Sequence, residues 1–280
     1  MILAKQLSTL RRERNLSLKA LGELTGLDPR VVGGLERGEG TLSSLETVAG
    51  ALNHYVSPYP SALANKRRWL GIGTRTLADD AGITRPTLRS LEATSQGRVA
   101  SYEAVCAALD EQPRLSAITP TWWTPKDIVD GCMSALQIAT FDIDPCSPTP
   151  PVVNCKRHFS ERDGGLWFAW TGDVWFAPPY DAVPLWIDKA IAEFNSGRVS
   201  RIIGVLPFRP ETKHWQVLLD SGCDLIVLDG RPKWGGRNYS LPSATVIVSW
   251  GLTPTELRRL HTALPPNRIM YLERSLADVA

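Results

Sequence analysis

The stretch G-L-D-P-R-V-V-G-G-L-E-R-G, residues 26–38, decides how the front of the chain is organised. Gly26 suits the left-handed turn that joins two helices. Asp28 is of the N-cap type, and Pro29 fits the first helical position. Val32 and Leu35 are spaced to face a core. The stretch itself contains Leu27; outward from it, Leu7, Leu10, Leu18, Leu21 and Leu24 precede, and Leu45, Val48 and Leu52 follow. Spacings of mostly three and four predict short amphipathic helices.

The outline returns 56 residues later. Leu21, Gly26, Leu27, Val32, Leu35 and Glu36 correspond to Leu77, Gly82, Ile83, Leu88, Leu91 and Glu92. After a one-residue insertion, Glu46, Val48, Ala51 and Leu52 correspond to Glu103, Val105, Ala108 and Leu109. Such sustained agreement marks a duplicated unit. Pro/Ser-marked stretches 51–60 and 111–121 read as joints, the first between the copies and the second leading to a rear domain. The expected domains are therefore 1–55, 62–112 and 119–280.

Composition excludes several classes. With 43% hydrophobic and 21% charged residues over 280 positions, the chain reads as soluble and globular. No apolar run approaches a membrane span, and no signal peptide opens the chain, so a cytoplasmic, DNA-associated location is expected. Five cysteines without a C-x-x-C pair argue against a zinc cluster or a disulfide framework. The four histidines are scattered, and no metal is expected. Net charge is +2: residues 1–118 hold 15 Lys/Arg against 12 Asp/Glu, and the remainder 16 against 17. A bias this faint is not in itself evidence for nucleic acid.

On L-K-A-L-G-E-L-T-G-L-D-P-R-V-V-G-G-L-E-R-G (18–38) and T-R-T-L-A-D-D-A-G-I-T-R-P-T-L-R-S-L-E (74–92), the unit resembles the helix-turn-helix of phage repressors and Cro proteins. The resemblance implies that the helix after each turn enters the major groove of double-stranded DNA. Arg30, Val31, Gly33, Gly34 and Arg37 would be exposed in the first copy. Arg85, Thr87, Arg89 and Ser90 would be exposed in the second. The second copy is the better reader, because arginine bonds guanine bidentately and hydroxyls suit several base edges. Two bundles on one chain would cover adjacent DNA segments, and a homodimer would double the site. The plainer alternative is a pair of protein-binding bundles.

Behind Trp122 the texture changes, and most of the ten tryptophans lie there. Buried-strand patterns at 139–144, 172–177, 201–207, 224–229 and 244–250 alternate with helical patterns at 125–137, 182–196, 212–221 and 253–263. Alternation predicts a mostly parallel sheet with helices on its faces. Ligands bind beyond the carboxyl ends of such strands. Four ends stand out: Asp144-Pro145-Cys146, Ala177-Pro178-Pro179-Tyr180, Leu206-Pro207 and Asp229-Gly230-Arg231. The fold class expected for the whole is multidomain: two all-α helix-turn-helix bundles, then an α/β Rossmann-like domain.

W-T-P (123–125), D-I-D-P-C-S (142–147), D-G-G-L-W (163–167), V-W-F-A-P-P-Y (174–180), V-L-P (205–207), T-K-H-W (212–215) and G-R-P-K-W (230–234) occur in order. On these the rear domain resembles phage-type Dam-like DNA adenine-N6 methyltransferases. The resemblance implies S-adenosylmethionine as methyl donor and an adenine swung out of the duplex. The residue at position 177 and the Pro178 carbonyl would accept hydrogen bonds from the adenine amine. Pro179 completes the motif, and Tyr180 would stack on the base. Thr124, Pro125, Asp144 and Asp163 would meet the cofactor. Arg209, Lys213, Arg231, Lys233 and Arg237 are either solvated surface or a rim that contacts phosphates.

The family carries Asp, Asn or Ser where this chain has Ala177. Alanine accepts nothing through its side chain, and losing one such preorganised partner costs about 10²–10³-fold in rate. Two functions therefore stand side by side. One is a methyltransferase with two DNA-reading modules and impaired chemistry. The other is a phage or mobile-element transcriptional regulator whose rear domain serves as scaffold, dimerisation surface or ligand sensor.

Overall fold

The computed structural model describes residues 1–117, 123–179, 182–230, 232 and 243–270. They divide into two compact units: Met1–Pro120 with Glu161–Trp167, and Thr121–Ser160 with Phe168–Ala280.

The first unit opens with helices α1 (Ile2–Glu13), α2 (Leu18–Thr25), α3 (Pro29–Glu36) and α4 (Leu42–Ala51), then strand β1 (His54–Ser57). The order repeats as α5 (Pro60–Trp69), α6 (Thr74–Asp80), α7 (Arg85–Thr94), α8 (Val99–Ala108) and β2 (Arg114–Ala117). Gly26 and Gly82 take the turn after α2 and α6 at φ 69° and 62°. The Asp28 carboxylate accepts from the Arg30 N–H at 2.7 Å, and the Thr84 hydroxyl from the Thr87 N–H at 3.3 Å. Both α3 and α7 thus start from a capped end, a feature worth about 1 kcal/mol each.

One apolar cluster runs through both copies. It joins Leu7, Leu21, Val32 and Leu35 to Leu63, Leu77, Leu88 and Leu91 through Leu45, Val48, Tyr102 and Val105. Each copy also carries one enclosed ion pair. Arg11 bonds Glu36 at 2.5 and 2.9 Å and the Leu16 carbonyl at 2.7 Å. Arg67 bonds Glu92 at 2.6 and 2.9 Å and the Ile72 carbonyl at 3.0 Å. Every partner is displaced by the same 56 positions, a correspondence that the apolar pattern alone did not bring out.

The expected joints are structured. Residues 51–60 contain β1 and residues 111–121 contain β2, and these strands pair antiparallel from His54↔Ala117 to Ser57↔Arg114. The copies are thus fastened to each other rather than strung on a linker.

The second unit holds β3 (Phe141–Asp144), β4 (Cys155–His158), β5 (Gly172–Phe176), β6 (Val199–Pro207), β7 (Asp224–Leu228), β8 (Thr245–Trp250) and β9 (Asn267–Met270). They form one seven-stranded sheet in the order β4-β3-β5-β6-β8-β7-β9. The expectation of a mostly parallel sheet is corrected to a mixed one. β4, β3, β5 and β6 are parallel neighbours, whereas β8 is antiparallel to both β6 and β7, and β9 to β7. Parallel neighbours need a crossover, usually a helix. No helix is described between β7 and β8, and the chain returns there as an antiparallel neighbour.

Helices cover both faces. α9 (Lys126–Leu136) and α12 (Pro254–Ala263) pack with Phe141, Trp175, Ile203 and Ile247. Side chains alternate along a strand, so Phe176 points to the opposite face. There it meets Trp170 at 6.1 Å and Trp250 at 6.4 Å, and Trp170 meets Trp186 of α10 (Val183–Asn195) at 6.2 Å. These tryptophans are core, each large ring dominating its neighbourhood. Gly204 in β6 leaves the space the Phe176 ring needs: a Cβ there would sit 2.2 Å from a ring carbon. α11 (Lys213–Asp220) follows β6 and brings Trp215 edge-on to Phe208 at 5.3 Å. Among the described residues no helix is long and apolar enough to cross a membrane.

Candidate functional site

Two sets of side chains carry chemistry, one in each unit. In the first unit, α3 and α7 share a backbone plan but not a surface. Arg30 is exposed, and its guanidinium turns back to Asp28 at 3.2 Å. Arg37 is held by Glu39 at 2.9 Å. Gly33 and Gly34, expected on the exposed face, are buried instead. The space a side chain would fill at Gly33 is walled by Leu18 and Arg37, and at Gly34 by Glu39.

α7 differs at each of these points. Arg85 and Arg89 are exposed, and among the described residues neither bonds an acid. Arg89 stands 56 positions after Gly33, and Arg85 after Pro29. Thr87 and Ser90 are half-buried between them, and the Thr87 hydroxyl bonds that of Thr84 at 2.8 Å. The cap thus orients one edge of the helix, and two unneutralised guanidinium groups project from it.

In the second unit, β3, β5, β6 and β7 all run in one direction. Their carboxyl ends, the four singled out in the sequence, therefore share one edge of the sheet. The chain passes from β3 to β4 on one side and then to β5 on the other. This reversal of strand order is a topological switch point between the ends of β3 and β5, and open α/β sheets bind ligands in a crevice at such a point. D-P-C-S and A-P-P, quoted above, stand on its two sides.

Asp144 ends β3 and is 1% exposed. Its carboxylate accepts from the Cys146 N–H at 3.1 Å, and its carbonyl accepts from the Phe159 N–H at 2.8 Å. The Ser147 N–H donates in turn to the Phe159 carbonyl at 2.9 Å, which ties the loop after β3 to the end of β4. Burial raises the Asp144 pKa from 3.8 to about 7, against the lowering effect of bonds from Cys146 and Ser147. No cation partners this carboxylate among the described residues. The Cys146 thiol, pushed well up by burial, receives the backbone N–H of Ala177. The ends of β3 and β5 thus meet through Cys146 and Ala177. Ala177 is half-buried, its methyl packed on the apolar cluster, with Pro178 buried and Pro179 exposed.

Thr124 is buried and Pro125 caps α9. Asp163 belongs to the segment Glu161–Trp167, which packs in the first unit: its carbonyl accepts from Asn65 Nδ2 at 2.7 Å. Neighbours in the segment are held likewise, Glu161 by the Tyr55 hydroxyl at 2.9 Å and Trp167 beneath Lys66 Nζ at 4.7 Å. Asp163 thus falls in the first unit and Asp144 in the second. Tyr180, Arg231, Lys233 and Arg237, with Trp122 and Trp234, lie outside the described residues. Arg209 and Lys213 are exposed.

Sequence reading missed the contribution of β4. The Asp144 carboxylate, the Cys155 thiol and the His158 ring bring one donor atom each within 4.8 Å of one another. Carboxylate, thiolate and imidazole are the donor types of a borderline divalent cation. Burial holds the Cys155 proton on, so a cation there would have to displace it. The run C-K-R-H (155–158) carried the only sequence signal.

At the amino ends of the same strands, Lys156 bonds Asp142 at 2.7 Å, and Arg201 joins Asp173 to Glu256. These charges are paired, and they pin β3, β5, β6 and α12. The unpaired acid sits at the other end, where the crevice is.

Comparison with family models, with curated proteins and with solved structures returned no match.

Proposed function

We propose that the chain is a double-stranded-DNA-binding protein whose rear domain has the plan of an S-adenosylmethionine-dependent adenine-N6 methyltransferase but lacks the side-chain acceptor that efficient transfer needs. Reading DNA, as a transcriptional regulator of phage or mobile-element type, is then its principal activity. The carrying observation is α7: a capped helix after a tight turn, with Arg85 and Arg89 exposed and unneutralised. Guanidinium groups so placed reach guanine edges or phosphates. The direct test is a mobility-shift series on duplexes enriched by selection. The double variant Arg85→Ala/Arg89→Ala should lose roughly 100-fold or more in specific affinity, from about 1–3 kcal/mol per guanine contact. A protein that retards no duplex at moderate salt contradicts the proposal.

The residues of the crevice suit the cofactor in one respect. A buried carboxylate with a raised pKa and no cation is a place for the methionyl ammonium, which would offset the cost of burying Asp144 as an anion. S-adenosylmethionine, when bound, supplies an electrophilic methyl group. The chain's own part is to hold the ammonium at Asp144 and to leave the purine beside Ala177 and Pro178.

The second reading, an adenine-N6 methyltransferase still at work, is favoured by the meeting of the Asp144 and Ala177 strand ends at the reversal of strand order. The two readings separate on one substitution. Ala177→Asn restores an acceptor at a half-buried position and should raise tritiated methyl transfer to DNA by about 10²-fold over the unaltered chain. If the unaltered chain labels adenine as fast as the variant, the regulator reading is the wrong one.

A further inference from the structure

The front unit has the internal symmetry of a dimer. The strands that follow α4 and α8 pair antiparallel with each other, and the ladder ends on Ser57↔Arg114, two residues that stand 57 positions apart. At a second place the chain makes reciprocal bonds. The Leu42 N–H donates to the Gly97 carbonyl at 2.8 Å, and the Val99 N–H to the Gly40 carbonyl at 3.2 Å, across the bridge Thr41↔Arg98. Leu42 and Val99 are counterparts, as are Gly40 and Gly97, 57 positions apart. At this bridge residue i of one copy meets its own counterpart and the flanking bonds are exchanged between counterparts, which is the signature of an isologous two-fold interface. Glu103 also accepts from the N–H groups of Ile2 and Leu3 at the start of α1, both at 2.8 Å, so the last helix of the second copy holds the first helix of the first.

A two-fold rotation leaves the height of every atom along its axis unchanged. α3 and α7 therefore emerge at one level, related by half a turn about the axis through the bridge and the β1–β2 ladder. That is the relation in which paired reading helices address two half-sites of a duplex, about one helical turn apart. We propose that a single chain takes a pseudo-palindromic duplex of two unequal half-sites. α7 specifies one half through Arg85 and Arg89. α3, with its arginines bonded to Asp28 and Glu39 and its two glycines buried, holds the other half with little base discrimination.

The inference rests on the DNA-binding reading and goes beyond it in stoichiometry and site symmetry. The test selects duplexes from a randomised pool with the full chain and then weighs the complex by native mass spectrometry. The expected result is one chain per duplex and two inverted half-sites about 10 base pairs apart, one sharply defined and one degenerate. Arg85→Ala/Arg89→Ala should flatten preference in the sharp half by roughly 10- to 100-fold and leave the weak half as it was. Arg30→Ala should change neither half more than about twofold, since rim and phosphate contacts shift affinity without selecting sequence. Enrichment of a single half-site, or two chains per palindrome, would overturn the internal dimer while leaving DNA binding intact. Enrichment of no sequence and retention of no duplex would remove both.

Discussion

α3 and α7 stand on one scaffold and show opposite surfaces. Behind each lies the same enclosed arginine–glutamate pair, bonded to the same turn carbonyl and closed by the same left-handed glycine. In front, α3 turns its guanidinium groups onto Asp28 and Glu39, and α7 leaves Arg85 and Arg89 to solvent. What the copies share is what holds a helix pair together. Where they diverge is where a ligand would be met. The difference teaches that the duplicated frame is shared while only one of its two faces leaves its arginines without an acid among the described residues.

If the frame is common, breaking it should cost the same in either copy. Arg11→Met and Arg67→Met each leave an enclosed carboxylate with no cation. Removing one partner of such a pair destabilises by about 3–5 kcal/mol. Urea midpoints should fall equally for both variants, and because the copies share one core, each should unfold the whole first unit in one transition. A loss confined to one copy, or a variant that melts half the unit, breaks the comparison.

The paired acids of the front unit also give a standard for the rear. Glu36 and Glu92 are enclosed with a cation, whereas Asp144 is more deeply buried and has none among the described residues. Its pKa stands at about 7 in the fold and 3.8 in the open chain. The group is therefore protonated in the fold while it ionises in the unfolded state. Its contribution to stability is complete below about pH 4 and is lost as pH rises to about 7, some 4 kcal/mol in all. Asp144→Asn keeps the oxygen that accepts from Cys146 and removes the ionisation. The variant should match the parent near pH 4 and exceed it by up to about 4 kcal/mol at pH 8 in denaturant titrations. If S-adenosylmethionine is held at Asp144 as proposed, the same group makes its uptake pH-dependent. Calorimetric affinity for S-adenosylmethionine should rise between about pH 6 and 8 in the parent and stay flat in the variant.

Much of the frame was legible in the sequence, for stated reasons. The strands 201–207 and 244–250 are continuous apolar runs, buried on both faces, and they lie within two residues of β6 and β8. Asp28 and Pro29 announce the start of α3, and they cap it. β1 and β2 were read as joints because each has four residues and both segments carry prolines, so they lack a run long enough to show a period. β4 hid for a related reason: C-K-R-H is an edge strand with two exposed cations at its centre. The antiparallel direction of β8 was not legible, since the sequence reading found no helical pattern between 224–229 and 244–250 and alternation alone did not translate that gap into direction. Of the candidate site, Asp144 and Ala177 were found through their strand ends. Cys155 and His158 were not, since their nearness to Asp144 is a matter of strand order, which no local pattern records.

The smallest expected effect asks whether the silent face can be made to read. Gly33 occupies the position that Arg89 holds in the second copy. A Cβ at Gly33 would touch Leu18 Cδ1 and Arg37 Nη1, each at 3.5 Å, an ordinary contact with no backbone in the way. Gly33→Arg removes a glycine from a helix interior, which favours the helix by about 0.5–1 kcal/mol. The new guanidinium must turn past Arg37, whose own charge is taken up by Glu39. Stability should therefore change by less than about 1 kcal/mol, and affinity for the selected duplex should rise a few-fold through added phosphate attraction. The gain should fall as salt is raised and should fall on the degenerate half of the site. A gain on the sharp half instead would mean that α3 and α7 do not address separate halves, and the opposition between the two copies would have to be redrawn.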